Sequence, residues 1–226
     1  MGYLILIVLL LAAVFGPSLW ARAILRRYSR HREDFPGTGG ELARHLLDRF
    51  DMSQVKVEET KQGDHYDPRA KAVRLSPENL SGKSLTAVTV AAHEVGHAVQ
   101  DHRGYTPLHL RTRLVGLAQG AEKLGALLLM VMPFAAMLTR APSAGLLMLL
   151  GGLLSFGTAV LVHLITLPVE LDASFRRALP VLASGYLRPE DRPAARRILT
   201  ACALTYVAGS LASMLNLWRW IAILRR

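Results

Sequence analysis

The sequence predicts a mainly α-helical integral membrane protein with about four transmembrane helices and one small α+β domain. Three observations lead to this prediction. The chain has 226 residues, of which 51% are hydrophobic, and its mean hydropathy is positive. The hydrophobic residues are concentrated in long uncharged runs of about the length that a helix needs to cross a bilayer. Between the first two runs lies a polar segment with both helical and strand patterns.

Four uncharged runs define the predicted transmembrane helices. Most are near or above the roughly 18–20 residues that a crossing needs, but the second is short and requires its flanking turn. The first run is predicted to be a retained anchor, because charged residues follow it and Gly-Pro-Ser-Leu-Trp is a poor cleavage site for a signal peptide. The runs are Tyr3–Trp20, Leu124–Thr139, Ala144–Val169 and Ile198–Leu217.

The net charge of +10 is concentrated in arginines near the ends of these runs. The positive-inside rule therefore predicts that Ala21–Leu117 and Glu170–Arg197 lie in the cytoplasm. Because these arginines lie where a helix meets anionic headgroups, they indicate a lipid bilayer as partner and not nucleic acid. The only cysteine, Cys202, excludes an intrachain disulfide and a zinc site built from cysteines.

These patterns divide the chain into five predicted segments. The N-terminal anchor (1–22) is followed by a cytoplasmic domain (35–113). A transmembrane hairpin (114–169) then leads to a second cytoplasmic segment (170–197). The chain ends in a C-terminal transmembrane helix (198–226).

The cytoplasmic domain shows a clear order of elements. Glu41–Phe50 carries apolar residues at helical spacing and predicts an amphipathic helix. Gln54–Glu58 and Lys71–Leu75 predict two strands, which we expect to form an antiparallel pair across the turn-rich segment between them. Ser76–Asn79 then predicts a short helix with proline in its first turn. A longer helix follows and carries the most informative motif of the chain.

That motif is His93-Glu94-Val95-Gly96-His97. On a helix, residues four apart share a face, so His93 and His97 can bind one Zn²⁺. Glu94 leans into the same site, where it can take a proton from zinc-bound water and give it to a leaving amine. Glu94 is therefore the predicted catalytic residue, and one Zn²⁺ per chain is the predicted cofactor. The alternative interpretation is an ordinary helix with two surface histidines.

A catalytic zinc usually takes three protein ligands and one water, so a third ligand is expected elsewhere. The favoured candidate is Glu170, next to Pro168 at the end of the third uncharged run, because a carboxylate at a membrane-helix end usually has a partner. Its alternative role is an ion pair with a nearby arginine. The other candidates for a metal or catalytic role are Asp172, His102, His109 and His163.

Two further residues are candidates for contact with the substrate. His65 and Tyr66 lie in the turn-rich segment that precedes the motif helix. Either side chain can steady the oxyanion of a tetrahedral intermediate. The alternative interpretation is a plain hairpin with an Asp-Pro turn.

Taken together, these residues resemble a known family, the YugP-type membrane zinc metallopeptidases of bacteria. The similar segments extend from the first anchor to the C-terminal helix and so cover nearly the whole chain. They are Asp64–Arg69, Val73–Ser76, Ala91–Gln100, Gly104–Leu108, Leu167–Ser174 and Ala203–Ala208.

The resemblance implies a neutral zinc protease of the bacterial plasma membrane, with a gluzincin-like α+β domain. It assigns His93, Glu94 and His97 to the motif, and Glu170 to the matching acidic position. In related gluzincins, an Asp four residues after the ligand Glu supports a zinc histidine. Here that position is Ser174, and the nearby acid is Asp172.

The predicted function is a zinc-dependent endopeptidase that cleaves proteins or peptides, membrane proteins among them, at the cytoplasmic membrane face. An extended substrate is expected to add to the strand near Lys71–Leu75. One alternative is a non-proteolytic membrane scaffold that holds zinc, although structural zinc sites usually have four ligands and are rich in cysteine. Another is a hydrolase of a non-peptide amide.

Overall fold

Helices predominate in a computed structural model of the protein, which describes residues 2–139 and 165–214 and, between these ranges, only residues 147, 150–151 and 162. One small sheet lies among the helices, as the sequence predicts. A 3₁₀ turn, Pro189–Asp191, precedes the last helix. The helices are α1 (Gly2–Arg27), α2 (Gly39–Arg49), α3 (Pro77–Leu80), α4 (Leu85–His102), α5 (Thr106–Thr139), α6 (165–186) and α7 (Arg192–Met214).

The sheet has three strands in the order β1-β3-β2. They are β1 (Lys56–Glu59), β2 (His65–Asp67) and β3 (Ala72–Leu75). Strand β3 pairs in parallel with β1 and antiparallel with β2. The predicted antiparallel pair is therefore wrong, because the turn-rich segment contains a strand of its own that reverses the chain before β3.

The position of β3 also corrects the expected mode of substrate binding. Both edges of β3 are already paired, one with β1 and one with β2. A strand added to the sheet needs an edge with free backbone groups. The prediction that Lys71–Leu75 takes up an extended substrate is therefore wrong.

Helix α4 is the central element of the fold. Every residue from Leu85 to Asp101 is buried, so the motif helix is enclosed by the rest of the protein. Its N-terminus is capped by Ser84, whose side chain accepts a hydrogen bond from the backbone of Ala87 at 3.0 Å. Helix α2 packs its predicted apolar face on α4, and Thr38 begins α2 with a capping box.

Helices α6 and α7 cover the side of α4 that carries the motif. The closest approach is at Gly96, where an added Cβ atom would lie 2.8 Å from the carbonyl oxygen of Ala173. Part of α6, Asp172–Ala178, is a π-helix, which has a wider turn than an α-helix. The chain before α2 is held to the turn before α7 by Arg32, whose guanidinium donates to the Asp191 carboxylate at 2.6 and 2.8 Å.

The prediction of about four transmembrane helices is wrong. Among the described residues, none of the helices combines the length and the apolar character that a membrane crossing requires. The apolar run from Ile198 begins in α7 with Ile198, Leu199 and Ala203 buried in the protein core. The run that ends at Thr139 is the second half of α5, whose first half is charged. Most of Ala144–Val169, with His163, lies outside the described residues, as does the chain after residue 214.

We expect Gly96→Ala to destabilise the protein by about 1–3 kcal/mol, because the new methyl group must push the backbone at Ala173 away from α4. Denaturant unfolding of the metal-free chain measures this loss. Gly116→Ala is the matched control, since nothing lies within 4 Å of an added Cβ there and alanine favours a helix. Equal stability of Gly96→Ala and the unmodified chain would contradict the close approach.

Candidate metal centre

Three side chains from α4 and α6 converge in the core. His93 and His97 lie one helical turn apart on α4, and Glu170 reaches them from α6. Glu170 Oε2 lies 3.3 Å from His93 Nε2 and 3.2 Å from His97 Nε2. One ligand atom from each of the three lies within 4.8 Å of the others, and all three side chains are buried. The structure thus brings together the two motif histidines and the favoured third candidate.

The far side of the His97 ring is held by Gln100. The Gln100 amide nitrogen donates to the carbonyl of Val169 at 2.8 Å and to the Asp172 carboxylate at 2.9 Å. These two bonds orient the amide, so its oxygen faces His97 Nδ1 at 2.9 Å and can only accept. His97 Nδ1 therefore carries a proton, and in the neutral ring its Nε2 presents a lone pair to the cluster.

His93 is oriented in the same way by Ser174. The Ser174 hydroxyl donates to the carbonyl of Leu199 at 3.3 Å, which leaves its oxygen to accept from His93 Nδ1 at 3.1 Å. His93 Nε2 is then also a lone-pair donor that faces Glu170. Ser174 thus contacts the histidine from the position where the resemblance places an Asp in related proteins.

When neither Nε2 atom carries a proton, three electron-pair donors face one another. Such an arrangement is unfavourable unless a cation lies among the three atoms. Two imidazole nitrogens and one carboxylate oxygen form a ligand set typical of catalytic zinc, and partners on the far side of each ring are typical of zinc histidines. The residues present therefore fit a Zn²⁺ ion.

The environment of Glu170 favours its ionised form. Burial by itself raises the pKa of this carboxyl, but the positive charge and hydrogen bonds that His97 and His93 supply when their rings are protonated outweigh it, so the net pKa lies below the ordinary value for Glu. The other carboxylate oxygen, Oε1, accepts a hydrogen bond from Arg111 Nη1 of α5 at 3.1 Å. Arg111 therefore leaves Oε2 directed at the histidines.

Glu94 lies beside the cluster and is also buried. The pKa of Glu94 is raised to about 7, mainly by burial and also by the carboxylates of Glu170 and Asp64, against the opposing effect of His93. A carboxyl group with this pKa can exchange a proton near neutral pH, as a general base and acid must. A backbone hydrogen bond from Tyr66 of β2 orients the carboxylate.

A cleft of about 350 Å³ leads from the protein surface to His97. One wall comes from the β2–β3 segment and includes Tyr66 and Arg69, and the other comes from α5 and includes Arg111 and Val115. The cleft therefore connects the cluster with the protein surface at His97. Arg111 belongs to the arginines near the ends of the uncharged runs, and sequence reasoning did not connect it with the site.

The other sequence candidates lie outside the cluster. The Asp172 carboxylate bonds to Gln100 and, at 2.6 Å, to Arg177 Nε. His102 is exposed, and His109 Nε2 lies 4.0 Å from an Asp101 carboxylate oxygen. These contacts give Asp172 a supporting position and leave His102 and His109 away from Glu170.

The two candidates for substrate contact differ in position. Tyr66 lines the cleft, but its hydroxyl donates to Asp101 Oδ2 at 2.6 Å, and Lys71 binds the same oxygen. Burial and the Asp101 hydrogen bond raise the pKa of Tyr66 well above its usual range. His65 Nδ1 bonds to the carbonyl of Gly63 at 2.8 Å. Their contact with substrate stays a prediction.

Comparison with known proteins gives the family of the chain. A family model described as "Putative neutral zinc metallopeptidase" matches residues 3–225. The chain is 36% identical over 225 residues to a protein of Bacillus subtilis (strain 168) called "Putative membrane protease YugP", and the match covers 96% of both sequences. No solved structure matches the chain. The chain belongs to this zinc metallopeptidase family, so the predicted resemblance is confirmed, and the family implies a zinc cofactor.

We expect Glu170→Ala to abolish stable zinc binding, because it removes one of three ligand atoms. Asp172→Ala should weaken binding only about 10–100-fold, because Asp172 acts through Gln100 on the orientation of His97. Competition with a chelator of known affinity measures both changes. Equal zinc affinity of Glu170→Ala and the unmodified chain would contradict the ligand set, and a stronger effect of Asp172→Ala would reverse the two roles.

Proposed function

We propose that this chain is a zinc-dependent endopeptidase, which binds one Zn²⁺ per chain and hydrolyses peptide bonds in protein substrates. The observation that carries the proposal is the convergence of His93, His97 and Glu170 next to a buried Glu94 whose pKa is near neutral. Family membership supports the same chemistry. Two histidines on one helix and a glutamate on a later helix form a gluzincin-like arrangement, which is part of the proposal.

The proposed mechanism divides the work among the residues of the site. His93, His97 and Glu170 would hold the ion, which when bound polarises a carbonyl and acidifies water. Glu94 takes one proton from the attacking water as the new C–O bond forms. Glu94 then gives that proton to the amine nitrogen as the C–N bond breaks, so the carboxylate is restored.

The cleft supports a peptide as the substrate. Strand β2 forms one wall, and within the described residues only β3 pairs with it, so its other edge has no partner strand, as the addition of an extended chain requires. Leu108 and Val115 of α5 provide apolar contacts on the opposite wall. An extended peptide between these walls would pass His97 and present its carbonyl groups to the site.

We also propose that the protein works at the cytoplasmic face of the bacterial plasma membrane. The similar Bacillus protein is called a membrane protease. Basic residues of this chain cluster at the end of α1, where Arg26 and Arg27 occupy the last turn. Such clusters are attracted to the anionic headgroups of the cytoplasmic leaflet. Membrane proteins are accordingly among the proposed substrates.

We expect Glu94→Gln to keep its zinc but to lower kcat by about 10²–10⁴-fold, because the amide cannot carry the proton. Cleavage of an unfolded protein substrate, measured alongside metal content, tests this expectation. Glu78→Gln is the matched control, since the exposed Glu78 loses the same charge away from the cluster. Unchanged cleavage by Glu94→Gln would refute the proposed mechanism, and retention of zinc without any cleavage by the unmodified protein would refute the peptidase function.

A further inference from the structure

A second cavity, of about 150 Å³, lies between α2, α4 and α6. It is on the opposite side of α4 from the cleft that leads to His97. We call it the arginine cavity. Its floor is apolar and includes Leu46, Phe50 and Val99. Its charged lining residues are all arginines, namely Arg103, Arg176 and Arg177.

Few acidic side chains neutralise the positive charge of the three arginines. Arg103 and Arg176 are exposed, and within the described part of the chain neither forms an ion pair. Arg177 uses Nε to bind the Asp172 carboxylate, and its guanidinium lies 5.4 Å from the centre of the Tyr105 ring. Among the described contacts, its terminal nitrogens have no hydrogen-bond acceptor. Like charges that share an opening create a positive potential that attracts anions.

Arg177 also connects this cavity with the metal centre. Its Nε lies 2.6 Å from Asp172 Oδ2, and the same oxygen accepts from Gln100 at 2.9 Å. The Gln100 oxygen in turn holds His97 Nδ1 at 2.9 Å. Three hydrogen bonds therefore connect Arg177 with a cluster histidine, and a ligand on its outer nitrogens would add a fourth.

We propose that the arginine cavity binds a phosphate group carried on a short apolar chain. Arginine donors match the oxygens of phosphate, and the apolar floor suits the attached carbon chain. By fixing Arg177, the bound ligand also holds Asp172 and Gln100 in the arrangement that orients His97. Ligand binding and zinc binding then strengthen each other, since coupling between two sites is reciprocal. This second effect rests on the proposed zinc site, whereas the binding itself does not.

Calorimetric titration of the full-length, zinc-free protein tests the binding. Inorganic phosphate and dihexanoyl phosphatidic acid, kept below its micelle concentration, are the two probes, and the lipid probe should bind at least about tenfold tighter because it also covers the apolar floor. Arg176→Gln and Arg103→Gln should each weaken binding of both probes about tenfold, as expected when one charge-assisted hydrogen bond is lost.

Arg197→Gln is the control, because Arg197 is exposed and lies outside the cavity, and its substitution removes the same charge. Binding that is equal in Arg176→Gln, Arg103→Gln and Arg197→Gln would overturn the site. Equal affinity for the two probes would support a phosphate site but overturn the part played by the apolar chain.

The rate at which the zinc-loaded protein loses its metal to a chelator tests the coupling. At a lipid concentration a few times the dissociation constant of the unmodified chain, dihexanoyl phosphatidic acid should slow this loss severalfold in the unmodified chain and in Arg197→Gln, but much less in Arg176→Gln. An unchanged rate of zinc loss, with binding intact, would overturn the connection through Arg177. A protein that binds the lipid probe but retains no zinc would contradict the proposed function and leave the anion site standing.

Discussion

The meeting of Glu170 with the two histidines is the interaction on which the rest of the structure depends. It joins α4 to α6, and it is possible only because Gly96 lets the two backbones approach closely. The same crossing places Ser174 against His93 and brings Gln100 to α6. One contact between two helices therefore fixes the ligand atoms and the groups that orient them.

Burial determines the energetics of the site. A buried carboxylate and two unprotonated ring nitrogens repel one another, and their burial leaves them little contact with solvent. Arg111 satisfies one oxygen of Glu170, but the other oxygen faces only the histidines. A divalent cation removes this penalty, so metal binding contributes directly to the stability of the folded chain. Burial is also the main reason that the pKa of Glu94 is raised to about 7, a value that suits proton transfer near neutral pH.

How far the sequence predicts this structure depends on how local each signal is. The helical spacing of α2 and the His-Glu-x-x-His motif are local patterns, and the structure has helices at both places. The roles of Gln100 and Arg111 at the site were not predicted, because a polar residue on a helix says nothing about its distant partner. Strand β2 was missed because three residues inside a turn-rich segment show no alternation.

The apolar run from Ile198 was misleading for a different reason. Hydropathy measures how strongly a segment avoids water, but a helix buried in protein and a helix in lipid satisfy that preference equally well. The start of α7 does so in the protein core. The most direct test of the central claim is X-ray absorption at the zinc edge of the purified protein. We predict that zinc is coordinated by two histidine nitrogens and that all its other ligands are oxygen atoms. Sulfur scattering, or three or more histidine ligands, would contradict a centre formed by His93, His97 and Glu170.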